Sequence, residues 1–183
     1  ACKFLDSAGN GYTSDAVGCV EFARTHGAHI INLSWGGLEF SASMSNALQA
    51  ARSDGVLVVA AAGNNAANTD RVPYYPAGIA LDHIVAVGAS TRTDERWIYS
   101  NYGASSVDLF APGAAIYSTL AEGDAAYGTL NGTSQAAACV AGALALLRQQ
   151  EPAAPPCALI DRLLRAVDAR PAVSNLTALS AQL

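Results

Sequence analysis

At 183 residues and 51% hydrophobic content, the chain is long enough for one domain with a substantial buried core, and nothing in it marks a second. Only 14% of residues are charged, the formal net charge is −5, and Lys and Arg form no stripe, which argues against nucleic acid or an anionic membrane as partner. The longest apolar stretches, around VLVVAAAG and AAACVAGALALL, fall short of the roughly eighteen residues of a membrane span and read as buried elements. Four cysteines, Cys2, Cys19, Cys139 and Cys157, lack CxxC pairing and a histidine at ligand spacing, so no zinc site is expected and the disulfide pairing stays open.

In chain order, CKFLD reads as a strand and SDAVGCVEFARTHG as a helix with Ser14 as N-cap and Val17, Val20 and Phe22 near one face. AHIINLSW follows as a buried strand, SASMSNALQAARSDG as a helix closed by Gly55, and VLVVAAAG as a continuous apolar strand. Such βαβ units imply a parallel sheet covered on both faces. HIVAVGAS adds a strand, and VDLFAPG and AAIYSTL suggest short strands or turns. NGTSQAAACVAGALALL reads as a helix whose small residues Ala136, Ala137, Ala138, Ala141 and Gly142 allow close packing, with Cys139 a small core residue. A last helix, CALIDRLLRAVDA, carries Leu159, Leu163, Leu164 and Val167 on one side.

Ser134 stands where a helix begins after a sharp Gly132 turn, and free N–H groups and the positive dipole end favour developing negative charge there. The same position also suits a plain helix cap. Asn64 is delivered at the C-terminal edge of a buried strand, where open parallel sheets place functional groups, and its amide can donate a hydrogen bond without carrying charge. The alternative for Asn64 is a turn residue, which is the reading preferred for Asn65 and Asn68.

Together these stretches resemble the subtilisin and proteinase K family of serine peptidases. NGTSQAAACVAG is similar to the family's nucleophile motif, so the resemblance implies Ser134 as nucleophile; AAAGN resembles the oxyanion segment and implies Asn64 as side-chain donor. INLSWGG resembles one wall of the specificity pocket (Ser34, Trp35, Gly36), with Ala61, Ala62 and Gly63 as the other, and LDSAGNGYTSDAVGCVEFA resembles the segment whose Gly9, Asn10 and Gly11 pair with an extended peptide substrate. VDLFAPG and YYPA recur in the same order, and Tyr74 falls about where the family forms the base of that pocket. Ala138 and Cys139 depart from the pattern, standing where Pro and His are usual. The implied fold is three-layer α/β/α with a mostly parallel sheet, subtilisin-like and truncated at the N-terminus.

The resemblance implies acyl transfer, for which a serine needs a histidine base and an orienting acid. His26 and His29 form an HGAH stretch like the family's histidine motif, but it ends a helix and leads into IINLSWGG, so it reads as a decoy; His83 has no partner motif and Asp6 lacks the context of the catalytic acid. Residues 1–183 are therefore expected to be part of a catalytic domain, with Asp and His upstream and the C-terminal end also short, and to be inactive alone. No cofactor is expected and no metal is predicted, although calcium sites are frequent in the family and the intact protein could carry one. The resemblance further implies a protein or peptide substrate, an inhibitory pro-segment, export from the cell and a monomer. The sequons at Asn131 and Asn175 read as incidental. Two rivals are a non-catalytic peptide-binding protein of the same fold and a nucleotide-binding domain, the latter discounted because no glycine-rich phosphate loop follows a strand.

Overall fold

The computed structural model describes residues 1–170. Its elements are α1 (Thr13–Thr25), β1 (Ile30–Leu33), α2 (Ala42–Ser53), β2 (Leu57–Ala61), β3 (Ile84–Ser90), β4 (Leu109–Pro112), β5 (Ile116–Thr119), β6 (Tyr127–Leu130), α3 (Thr133–Gln150) and α4 (Pro156–Ala166). The strands β1 to β4 form one sheet in sequence order, and each neighbouring pair is parallel.

The continuous apolar runs follow from burial on both faces, because successive side chains of a strand point to opposite sides. In β2, Val58 and Ala60 enter the core beneath α1 and α2, whereas Leu57, Val59 and Ala61 enter the core beneath α3 and α4. The same split holds in β3, with Ile84 and Ala86 on the first side and Val85, Val87 and Ala89 on the second. The result is a three-layer α/β/α arrangement. Leu48, Leu57, Leu144 and Leu159 are fully buried, each worth roughly 1.5–3 kcal/mol of transfer free energy.

Several expectations are corrected. CKFLD forms no strand: the backbone hydrogen bonds recorded for residues 1–11 close within the segment itself, from Asp6 N to Asn10 O and Gly9 N to Asp6 O. The segment is fastened instead by a Cys2–Cys19 disulfide to α1 and by Phe4 packing edge-on against Trp35. Helix α1 starts at Thr13 with Tyr12 as N-cap and no side-chain cap, so Ser14 does not cap it. Its buried residues are Ala16 and Val20, while Phe22 is exposed and stacks on His26. Cys139 is not a core residue. Helical periodicity turns Ala136, Ala137, Val140 and Leu144 inward and leaves Cys139, Ala138 and Gly142 exposed.

Helix α2 matches its signals: Ser41 Oγ accepts from Met44 N at 3.2 Å, and Gly55 (φ +73°) follows the helix. Strand β6 had no sequence signal. It pairs antiparallel with β5 in a separate hairpin that leads directly into α3. Leu159, Ile160 and Leu163 of α4 are buried, with Leu164 and Val167 packed partly against the same core. Asn175 lies outside the described residues.

Candidate active site

Two segments meet at the C-terminal edge of the sheet. The first follows β2, where Ala62 and Gly63 lead to Asn64. Gly63 lies in the left-handed region (φ +100°), and a Cβ there would run into the carboxamide of Asn101 and the ring of Tyr74. The second is the start of α3. Gly132 is its N-cap, at φ 150° and ψ 165°, and its N–H donates to Gly113 O at 2.7 Å. The hairpin base is further tied by Asn131 Oδ1, which accepts from Ala115 N at 2.7 Å.

Because Gly132 occupies the N-cap, Ser134 is the second helical residue and does not cap. Its backbone N–H therefore has no acceptor within the helix and lies at the positive end of the dipole. Ser134 Oγ donates to Ser34 O at 2.9 Å, and Ser34 Oγ donates back to Ser134 O at 2.9 Å. Asn32 Nδ2 in turn donates to Ser34 Oγ at 2.8 Å, so β1 is linked to the helix start.

Thr133 joins Asn64 to the same helix. Asn64 Oδ1 accepts from Thr133 N at 2.9 Å and from Thr133 Oγ1 at 3.0 Å, while Thr133 Oγ1 accepts from Gly63 N at 3.1 Å. A backbone N–H can only donate, so the atom of Asn64 facing it must be the oxygen. The amide NH2 of Asn64 thereby lies beside Gly132 and donates to no group among the described residues. Ser134 and Asn64 are thus brought into one site through Thr133, which sequence reasoning did not single out although it sits inside the GTS stretch.

The residues expected to bind substrate divide. Gly9, Asn10, Gly11, Trp35 and Gly36 line one cavity of about 320 Å³ together with Tyr75. Asp6 supports that wall, its Oδ1 accepting from Ala8 N at 2.8 Å and Asn10 N at 2.9 Å. Ser34 contacts Ser134 as above. Ala61 and Ala62 have buried side chains; Ala61 packs in the core and Ala62 contributes its carbonyl, which accepts from Asn101 Nδ2 at 2.8 Å. Gly36 and Gly63 bracket the ring of Tyr74, since a Cβ on either would press against it. Burial pushes the Tyr74 hydroxyl above its ordinary pKa, which keeps it neutral.

None of the three histidines hydrogen-bonds to Ser134 among the described residues. His26 caps the C-terminus of α1 with Nδ1 2.8 Å from Phe22 O, near the negative end of the helix. His29 precedes β1, its carbonyl accepting from Leu57 N. His83 precedes β3 and is 2% exposed; among the described residues neither ring nitrogen has a partner in good hydrogen-bond geometry, and burial, opposed by Asp82 and by a backbone contact with Leu48, holds its pKa below 6.5. Among the described residues no three His, Cys, Asp or Glu side chains gather as metal ligands, and no helix is long and apolar enough to cross a membrane.

Residues 1–179 match the model of the subtilase family. Subtilisin Savinase of Lederbergia lenta is 41% identical over 152 residues, covering 83% of this chain and 54% of the relative. Subtilisin DY of Bacillus licheniformis is 39% identical over 153 residues, covering 83% and 54%. In three dimensions the chain is similar to a cold-adapted subtilisin-like serine proteinase, with a TM-score of 0.81 and 34% identity over 89% of this chain and 57% of that one. The chain spans about half the length of these relatives. With the parallel sheet, the serine at the head of α3 and the asparagine beyond β2 all in place, sequence and fold agree that the chain belongs to the subtilase family.

Proposed function

We propose that the protein is a serine endopeptidase of which this chain supplies the nucleophile, the oxyanion donors and much of the substrate cleft. The observation that carries the reading is the pinning of the Asn64 carboxamide by Thr133, which leaves its NH2 without an acceptor among the described residues, beside the helix start that bears Ser134. Ser134 Oγ attacks the peptide carbonyl carbon, and the oxygen that becomes negative is received by Ser134 N–H and Asn64 Nδ2. The C–N bond then breaks, the amine leaves carrying the proton that a base took from Ser134, and water, losing to the same base a proton that is passed on to Ser134 Oγ, releases the acyl group as the acid.

The Ser134 proton needs an acceptor. In this structure the hydroxyl donates to the Ser34 carbonyl, which is far too weak a base to take the proton. The proposal therefore places the histidine base and its orienting acid in the protein beyond residues 1–183, and expects residues 1–183 alone to be without turnover. No cofactor takes part in a step, and calcium in the intact protein would be structural.

An extended peptide fits the cleft between Gly9–Gly11 and Ser34–Gly36, pairing by main-chain hydrogen bonds. Tyr74 limits the depth available to the side chain before the scissile bond. The proposed setting is extracellular, with a protein or peptide substrate, a pro-segment inhibitor and a monomeric enzyme, in keeping with membership of a family that includes bacterial subtilisins.

The test uses the intact protein and a fluorophosphonate probe that labels activated serines. Labelling should fall on Ser134 and vanish in Ser134→Ala. Asn64→Ala should reduce kcat by roughly 10² to 10³ with KM little changed, a magnitude that is subtilisin's own and is carried over by family membership. An intact protein that binds peptides without cleaving them or reacting with the probe would overturn the proposal in favour of a binding protein on a peptidase scaffold.

A further inference from the structure

Asn101 lies between β3 and β4, is 1% exposed, and directs all of its recorded polar contacts but one at the loop that carries Asn64. Its backbone N–H donates to Gly63 O at 2.9 Å and its Nδ2 to Ala62 O at 2.8 Å. Its Oδ1 accepts from Asn65 N at 2.9 Å and from Ala67 N at 3.0 Å. Residues on both sides of Asn64 are therefore tied to one buried side chain, with three of the four hydrogen-bonding positions of the carboxamide filled. The remaining contact fixes Asn101 itself: Ser100 Oγ donates to Asn101 O at 2.9 Å and accepts from Ala89 N of β3 at 2.9 Å. Arg96 Nη1 holds the same stretch by donating to Ser100 O at 2.7 Å.

We infer that Asn101 is a positioning residue for the oxyanion donor, holding the 62–67 loop so that the Asn64 amide stands ready before charge develops. The inference rests on the proposed acyl transfer. An oxyanion donor accelerates the reaction only when its orientation is set in advance. Asn64 is exposed and lies just beyond the end of β2. Thr133 fixes the Asn64 side chain from the helix, and Asn101 fixes its backbone from the side of β3. Neither clamp replaces the other, because one acts on the carboxamide oxygen and the other on the flanking peptide groups.

The experiment is a double-substitution cycle in the intact protein with one peptide substrate. Asn101→Ala strips the loop of its acceptor and donor, and kcat should fall about 10²-fold, the size of loss that a displacement near 1 Å can cause, while KM stays close to wild type. In the Asn64→Ala background the same substitution should lower kcat far less, because no donor remains to be misplaced. Full additivity of the two losses, or a rise in KM in place of a fall in kcat, would sink the inference while leaving the proposed reaction standing. If Asn101→Ala does not fold, the cycle is run with Asn101→Ser, which keeps a polar hydroxyl in the space and buries no charge but is too short to hold Ala62 on one side and Asn65 and Ala67 on the other. An intact protein without turnover, or one whose kcat is untouched by Asn64→Ala, removes the reaction itself and with it this role for Asn101.

Discussion

The carboxamide oxygen of Asn64 takes two hydrogen bonds from a single residue, Thr133, through the backbone N–H at 2.9 Å and the hydroxyl at 3.0 Å. The hydroxyl is also the acceptor for Gly63 N, so one buried oxygen couples the loop after β2 to the head of α3. Thr133→Val conserves shape and removes that oxygen. It leaves Gly63 N–H without its acceptor, which costs about 1–3 kcal/mol, and leaves the Asn64 oxygen with only one donor. Thr133→Ser keeps both bonds and loses one methyl, costing about 0.8 kcal/mol. Urea unfolding should rank wild type above Ser and Ser above Val, and kcat in the intact protein should drop for Val but not for Ser. Equal behaviour of the two variants would mean that the hydroxyl does not hold Asn64.

The Tyr74 ring sits between Gly36 and Gly63, with no room for a Cβ on either. If it forms the floor of the specificity pocket, Tyr74→Ala should deepen the pocket. The ratio of kcat/KM for a large aromatic over a small aliphatic side chain before the scissile bond should then rise by about 10-fold or more, since each methylene-sized difference is worth roughly 1–3 kcal/mol. A general loss of activity without a change in that ratio would assign Tyr74 to loop support instead.

How much of this was legible depends on where each residue's reason lies. Strands β2 and β3 could be read because burial on two faces writes a continuous apolar run locally, and the start of α3 because Gly132 must turn sharply there. CKFLD was misread for the complementary reason: its apolar content is local, but a strand exists only where an edge pairs with it, and residues 1–6 close no ladder. Phe22 and Cys139 lie off the faces expected of them because a single apolar side chain on a helix does not by itself say which face meets the sheet. Asn101 left no signal at all. Its partners lie up to 39 residues away, and a polar side chain in a loop carries no periodicity. The Cys2–Cys19 bond is of the same kind, fixed by fold and invisible in spacing.

His83 should give the fold a pH dependence of its own. Burial is the main cause of its lowered pKa; Asp82 and a backbone contact with Leu48 oppose it, and Arg52 adds to it. Arg52 and Asp82 pair with each other at 2.6 Å, so neither is free to serve the imidazole. Below the ordinary value of 6.5 the unfolded chain takes up a proton that the native state refuses, so ν of the unfolded state exceeds that of the native state. Stability is thus unaffected by this group above 6.5 and declines as the pH falls from 6.5 toward the depressed native pKa, by at most about 1.4 kcal/mol per unit. His83→Leu binds no proton and leaves no imidazole nitrogen buried in the core. It should be at least as stable as wild type at about pH 8 and should lose less stability on going to about pH 5. Urea midpoints of both proteins at the two pH values decide the matter: parallel losses would place the acid sensitivity in the carboxylates rather than in His83.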